Sequence, residues 1–158
     1  MDVNAVAIAG WSFIVAALML WFGYVLLPHK IGTFFVPDDF KEVRSRFHYW
    51  IWMYRLHLFG HLIAVMALVA LAALVSTSSA RVLVWPGVVV SSAGLVVSAL
   101  AHAFYYHFGA WGAQQTEGKT EAEYESYVES LTTSTEYVTC WTRLGSVFLG
   151  LGLLVLAV

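Results

Sequence analysis

In a chain of 158 residues, 60% hydrophobic and 11% charged, with a mean hydropathy of +0.75, the charged fraction falls well below the roughly one quarter usual for soluble domains, and that class is excluded. A net charge of -2 provides no basic field for nucleic acid. The single cysteine, Cys140, excludes an internal disulfide and any CxxC redox pair; in an apolar stretch it reads as a small packing residue. The composition predicts one all-α integral membrane domain over residues 1–158.

Residues 5–27 contain no charge and exceed the roughly 20 positions needed to cross the hydrocarbon core. They form the first predicted span. The chain begins Met1-Asp2 without the basic leader of a cleaved signal, so this span is expected to be retained. Pro28 should end it, because proline lacks the amide proton and disfavours helix in the residue before it. After a connector, Asp39 and Glu42 have capping-box spacing, which predicts a helix running from about Phe40 and crossing the membrane over about 48–75. Ser76 to Ala80 form a polar turn, and a third span is expected over about 82–108.

Beyond Trp111 the composition changes. Thr120 and Glu123 match a second capping box, and Tyr124, Tyr127, Val128 and Leu131 recur at helical spacing, predicting a short amphipathic helix over about 120–132. Its other face carries Glu117, Glu121, Glu125 and Glu129, which anionic lipid would repel. A fourth span is expected over about 138–158, with Arg143 snorkelling to the interface. The predicted fold is therefore an up-down bundle of four transmembrane helices, with a short amphipathic cytoplasmic helix between the third and fourth.

Four spans place both termini on one face and the two longer connectors on the other. Lys30, Lys41, Arg44 and Arg46 lie in the first connector, against Arg81 on the opposite side. The positive-inside bias puts the connectors in the cytoplasm and the termini outside. The acidic helix then shares a face with Lys41, Arg44 and Arg46, and ion pairs between them are expected.

The strongest functional signal is the distribution of histidines. His29, His48, His57, His61, His102 and His107 all fall at the predicted cytoplasmic helix ends. Counting from the turn near residue 79, His57, His61 and His102 lie 22, 18 and 23 residues along the two arms, so His57 and His102 should be nearly level. His57 and His61, four apart, share a helix face. His107 lies roughly 140° around the helix from His102. Histidines among aromatic residues at an interface often serve only as headgroup-level residues, and that is the expectation for His29, His48 and His107.

The favoured functional reading is a membrane-embedded electron-transfer subunit that binds one b-type haem. Paired imidazoles, His61 with His102 and His57 as the alternative, would ligate the iron in a dry pocket. Arg55 and Arg46 would meet the propionates, aided by Tyr54, Tyr105 or Tyr106. Gly87, Ser91, Gly94, Ser98 and His102 form a stripe that would either let backbones approach or leave space over a planar cofactor. Against the reading, helices joined by a short turn pack about 8–10 Å apart, closer than a bis-histidine haem requires. A splayed or diagonal pair, or a haem between two copies, would resolve that conflict.

A second reading is a metal enzyme using His57/His61, His102/His107 and nearby glutamates. Membrane diiron hydroxylases and desaturases resemble this in having histidine boxes, but their pattern needs more histidines than this chain has. A third is a cofactor-free accessory subunit of a larger membrane assembly, a respiratory, photosynthetic or oxygenase complex, with aromatic helix ends as docking surface or quinone contacts. The lipid bilayer is the first partner in every reading, with other membrane subunits or a homo-oligomer next. The plan of four spans with matched histidines is similar in outline to small membrane cytochromes b. Transport is disfavoured, since the only charges within spans are the interfacial Arg55 and Arg143.

The charge bias makes a direct prediction of sidedness. In a Cys140→Ser background, cysteine at Ser78 should react with an impermeant thiol reagent outside intact cells and cysteine at Ser126 should not; the opposite labelling inverts the topology.

Overall fold

The computed structural model describes residues 3–25, 40–75 and 81–157, without the side chain of Lys41. His29 and the Ser76 to Ala80 turn lie outside these residues. The described residues form six α-helices: α1 (Val3–Val25), α2 (Phe40–Ser45), α3 (Phe47–Val75), α4 (Arg81–Phe104), α5 (Gly112–Gln115) and α6 (Glu121–Leu156). A π-helical segment, Tyr105–Trp111, joins α4 to α5 without a break. Four continuous helical stretches, Val3–Val25, Phe47–Val75, Arg81–Gln115 and Glu121–Leu156, are long and apolar enough to cross a membrane. The chain is a multi-pass, all-α membrane protein.

Two boundaries depart from expectation. The third span runs on past residue 108 through the π segment to Gln115. The separate amphipathic helix over 120–132 and the span starting near 138 are instead one helix of 36 residues. No glycine or proline interrupts the polar stretch between them, and its hydroxyls bond back into the helix: Thr132 to the Val128 carbonyl at 3.2 Å, Thr135 to Leu131 at 2.8 Å, and Thr139 to Thr135 at 2.9 Å. Back-bonding of this kind lets Thr sit inside a helix without competing for the backbone. The capping box is present, with Thr120 Oγ1 accepting from the Glu123 amide and the Glu123 carboxylate accepting from the Thr120 amide at 2.8 Å. At about 1.5 Å per residue, α6 is roughly 54 Å long against a core of about 30 Å, so its acidic N-terminal part stands outside the hydrocarbon.

The long helices pack in a row, α1 on α3, α3 on α4 and α4 on α6. At backbone level α1 touches no other helix, and α6 touches only α4 among the described residues. The contacts run antiparallel: Gly23 faces His57 while Leu20 faces Gly60, and Gly87 faces Leu156 while Gly94 faces Leu149. Small residues make each approach possible. Ala9, Ala16 and Gly23, seven apart, are the buried positions of α1. A methyl group on Gly94 would lie 2.5 Å from both the Gly145 carbonyl oxygen and the Leu149 amide nitrogen. The stripe Gly87, Ser91, Gly94 and Ser98 is therefore filled by α6, and it leaves no space over a cofactor.

One end of the row is closed by aromatic packing. Phe40 and Val43 of α2 are fully buried with Trp50, Met53 and Tyr54 of α3, Tyr105 and Ala110 of the π segment, and Leu131 of α6. The Phe40 ring meets Tyr124 at 6.1 Å and Tyr127 at 5.9 Å. The acidic helix thus docks on the basic connector through rings. The expected ion pairs across this contact are not seen among the described side chains: Arg44 donates to the Thr116 hydroxyl at 2.8 Å, and Arg46 pairs with Glu42 of its own segment at 3.9 Å.

Gly94→Val should destabilise the protein by about 1–3 kcal/mol, because backbone atoms block the added side chain. Gly10→Val, where nothing lies within 4 Å, should change stability by less than about 0.5 kcal/mol. Denaturant unfolding in mild detergent, followed by circular dichroism, measures both.

Candidate functional site: a buried imidazole cluster

Between α3 and α4, three histidines stack. The rings of His57 and His102 are 4.6 Å apart at 16°, those of His61 and His102 are 5.0 Å apart at 29°, and those of His57 and His61 are 6.4 Å apart at 30°. His57 is fully buried, His102 is 5% exposed and His61 is half-buried. Counted along the helices, His57 lies about 27 Å from Val75, and His102 about 31 Å from Arg81. Those spans equal the thickness of the hydrocarbon core, so both rings sit at one edge of it. His61, one turn further in, is deeper.

Backbone carbonyls set two of the rings. His61 Nδ1 is 2.6 Å from the His57 carbonyl oxygen, and His102 Nδ1 is 2.7 Å from that of Ser98. A carbonyl only accepts, so Nδ1 carries the proton in each neutral ring and Nε2 carries the lone pair. This is the tautomer in which a histidine serves as a metal ligand, its other nitrogen held by a backbone acceptor. His57 is placed by α1 instead. A methyl on Gly23 would lie 2.8 Å from His57 Nε2, and the Tyr24 ring meets His57 edge-on at 5.2 Å.

Below the cluster runs a ladder of rings. Tyr105 meets His102 edge-on at 6.4 Å, Tyr54 lies 6.4 Å from Tyr105, and Trp50 lies 6.0 Å from Tyr54. The Tyr105 hydroxyl faces Thr139 and Thr142 of α6. Tyr105 opens the π segment three residues after His102 and so shares its helix face. Further along the segment His107 and Phe108 are exposed and Gly109 and Ala110 are buried. Gly109 brings the backbone so close to Tyr54 that a methyl there would lie 3.1 Å from its hydroxyl. Gly112 does the same for the hydroxyl of Tyr127.

The structure brings together His57, His61 and His102, as their levels predicted. His48 and His107 are exposed and outside the cluster. Arg55, about 200° around α3 from His57, donates to the Tyr106 hydroxyl at 3.0 Å, and its guanidinium lies over the rings of Trp52 and Tyr106 at 5.2 and 5.5 Å. Arg46 lies eleven residues before His57, about 16 Å along the helix, and is exposed. Gly23 and Tyr24 contribute to the site without having been singled out for it, and Ser98 of the small-residue stripe contributes its carbonyl. The Ala9, Ala16 and Gly23 spacing marks a close approach in α1, but not its partner.

Among the described residues no group of three or more His, Cys, Asp or Glu side chains is arranged to hold a metal ion. The glutamates of α6 are exposed. Comparison with protein-family models, curated proteins and solved structures finds no match to this chain.

Gly23→Val should push α1 off the His57 ring and destabilise the protein by about 1–3 kcal/mol. His57→Ala in the same chain removes the obstacle and should recover part of that loss; a purely additive double variant in a thermal-unfolding cycle would contradict the contact.

Proposed function

We propose that the protein is a membrane-embedded electron-transfer subunit in which His61 and His102 hold one b-type haem. The observation that carries this reading is the convergence of buried imidazoles from two helices, with both Nδ1 groups engaged by backbone carbonyls. A bis-imidazole iron needs two nitrogens, so the lack of a three-ligand group does not bear on it. His61 is preferred to His57 because His57 is committed to Gly23 and Tyr24. A haem supplies reversible one-electron chemistry, tuned by burial and by the hydrogen bonds behind its ligands. The chain's own part is to hold two neutral imidazoles in a fixed tautomer and to keep water from them. Arg55 and Tyr106, already bonded to each other beside this level, are the polar pair nearest to a propionate role.

The donor set fits such a group; the interval between the rings does not. The rings stack plane to plane at 4.6 and 5.0 Å, so a macrocycle between His61 and His102 requires α3 and α4 to part at this level. That interval favours a second reading, a cofactor-free accessory subunit of a larger membrane complex whose imidazole stack is structural. The proposed sidedness is the same in both: termini outside, with the histidine-bearing ends and the start of α6 in the cytoplasm, on the strength of the basic residues of the first connector.

A reduced-minus-oxidised visible spectrum of protein purified in mild detergent separates the two. Sharp low-spin b-type bands are expected, lost in His61→Ala and in His102→Ala, retained in His57→Ala and unchanged in His107→Ala. A flat spectrum from the parent protein, or full haem retention by both His61→Ala and His102→Ala, refutes the haem reading and leaves the accessory one.

A further inference from the structure

Beside the π segment lies a cleft of about 440 Å3, lined by Tyr106, His107, Trp111, Gln114 and Gln115. Arg55 of α3 reaches its edge, where it donates to the Tyr106 hydroxyl at 3.0 Å. The guanidinium lies over the rings of Trp52 and Tyr106, and Phe47 meets the Trp111 ring edge-on at 4.9 Å. No carboxylate lines the cleft, and among the described residues Arg55 is in no ion pair. The chain itself therefore supplies this cation with no counter-charge.

Arg55 lies twenty residues before Val75, about 30 Å along the helix, which is the thickness of the hydrocarbon core. Its side chain leans toward the N-terminus of α3 and so into the headgroup layer. On the same face of α3, at i+4, i+7, i+11 and i+14, Phe59, Leu62, Met66 and Val69 are all exposed. This apolar stripe runs about 20 Å inward from Arg55, further than the half-core that the chains of one leaflet fill.

We infer that the cleft binds an anionic phospholipid, its phosphate on Arg55 and one acyl chain along the stripe from Phe59 to Val69. A guanidinium and a phosphate match as paired donors and acceptors. Tyr106 accepts from Arg55 and keeps its own O–H to donate, and Gln114 and Gln115 bring amide groups suited to headgroup hydroxyls. A zwitterionic lipid carries its own ammonium, which the uncompensated Arg55 opposes. With the sidedness proposed above, the cleft opens on the cytoplasmic leaflet, where anionic lipid lies. No haem is needed for this site, since Arg55 faces away from His57; a haem propionate is the rival anion.

Native mass spectrometry of the full chain in mild detergent, titrated with phosphatidylglycerol or with phosphatidylcholine of the same acyl chains, tests this. Phosphatidylglycerol should bind at least about fivefold tighter, the effect of one cation near a membrane surface. Arg55→Gln should bring the two lipids within about twofold of each other, whereas Arg143→Gln should leave the preference intact. Excess inorganic phosphate at matched ionic strength should not displace the lipid. Equal binding of both lipids by the wild-type chain overturns the proposal, as does a preference that survives Arg55→Gln or is lost equally in Arg143→Gln. So does displacement by inorganic phosphate, which marks a site for the free ion, or a preference seen only in haem-free His61→Ala protein, which assigns Arg55 to a propionate. Should Arg55→Gln fail to fold, Gln115→Glu decides. Gln115 is exposed, and a carboxylate there should abolish the preference by repelling the phosphate; an undiminished preference in that variant overturns the proposal equally.

Discussion

A helix in hydrocarbon gains nothing by covering leucine with leucine, since the lipid is as apolar as the protein. What holds such helices together is close approach of backbones, and this protein achieves it with a few small residues. Ala9, Ala16 and Gly23 bring α1 onto α3, and Gly87, Gly94, Gly145 and Gly152 bring α4 onto α6. These approaches fix the level at which His57 and His61 meet His102. They also set the row arrangement: each small-residue face accepts one neighbour, so α1 and α6 end the row.

At the aromatic end the physics changes, because water is near and burial of rings again stabilises contacts. There α2 turns Phe40 and Val43 inward, the end of α4 presents Ala101 and Tyr105, and the projecting part of α6 lays Tyr124, Tyr127 and Leu131 over them. Two surface charges that the sequence places opposite one another, those of Arg44 and the acidic face of α6, contribute little by comparison, as exposed pairs generally do. The imidazole cluster sits between the two regimes, its rings closed off by α1 and Tyr105 and its depth set by the glycine contacts.

The site joins strict placement with a closed interior. Carbonyls of His57 and Ser98 hold two imidazoles in one tautomer, and the ring stack fills the space between α3 and α4. Ligand chemistry is built in, and a slot for a planar group is not. Either α3 and α4 separate around a cofactor or the stack itself is the finished structure. The aromatic ladder from Trp50 to Tyr105, which faces Thr139 and Thr142 of α6, links that choice to the packing of the whole row.

Local and periodic features were legible in the sequence. Long apolar runs set the four crossings, the Thr120 and Glu123 spacing set the start of α6, and residue counts along two helices set His57 and His102 at one level, because each depends only on helix rise or on neighbours a few positions away. The continuity of α6 was less legible, since a run of Thr and Ser reads as a breaker unless the hydroxyls turn back to their own helix. The filling of the Gly87 to Ser98 stripe by α6, the hold of Gly23 on His57 and the diversion of Arg55 to Tyr106 were decided by tertiary structure alone. Each depends on which helix lies beside which and on how far a π turn rotates the residues after it. No periodicity encodes those quantities, because they arise from contacts between segments far apart in the chain.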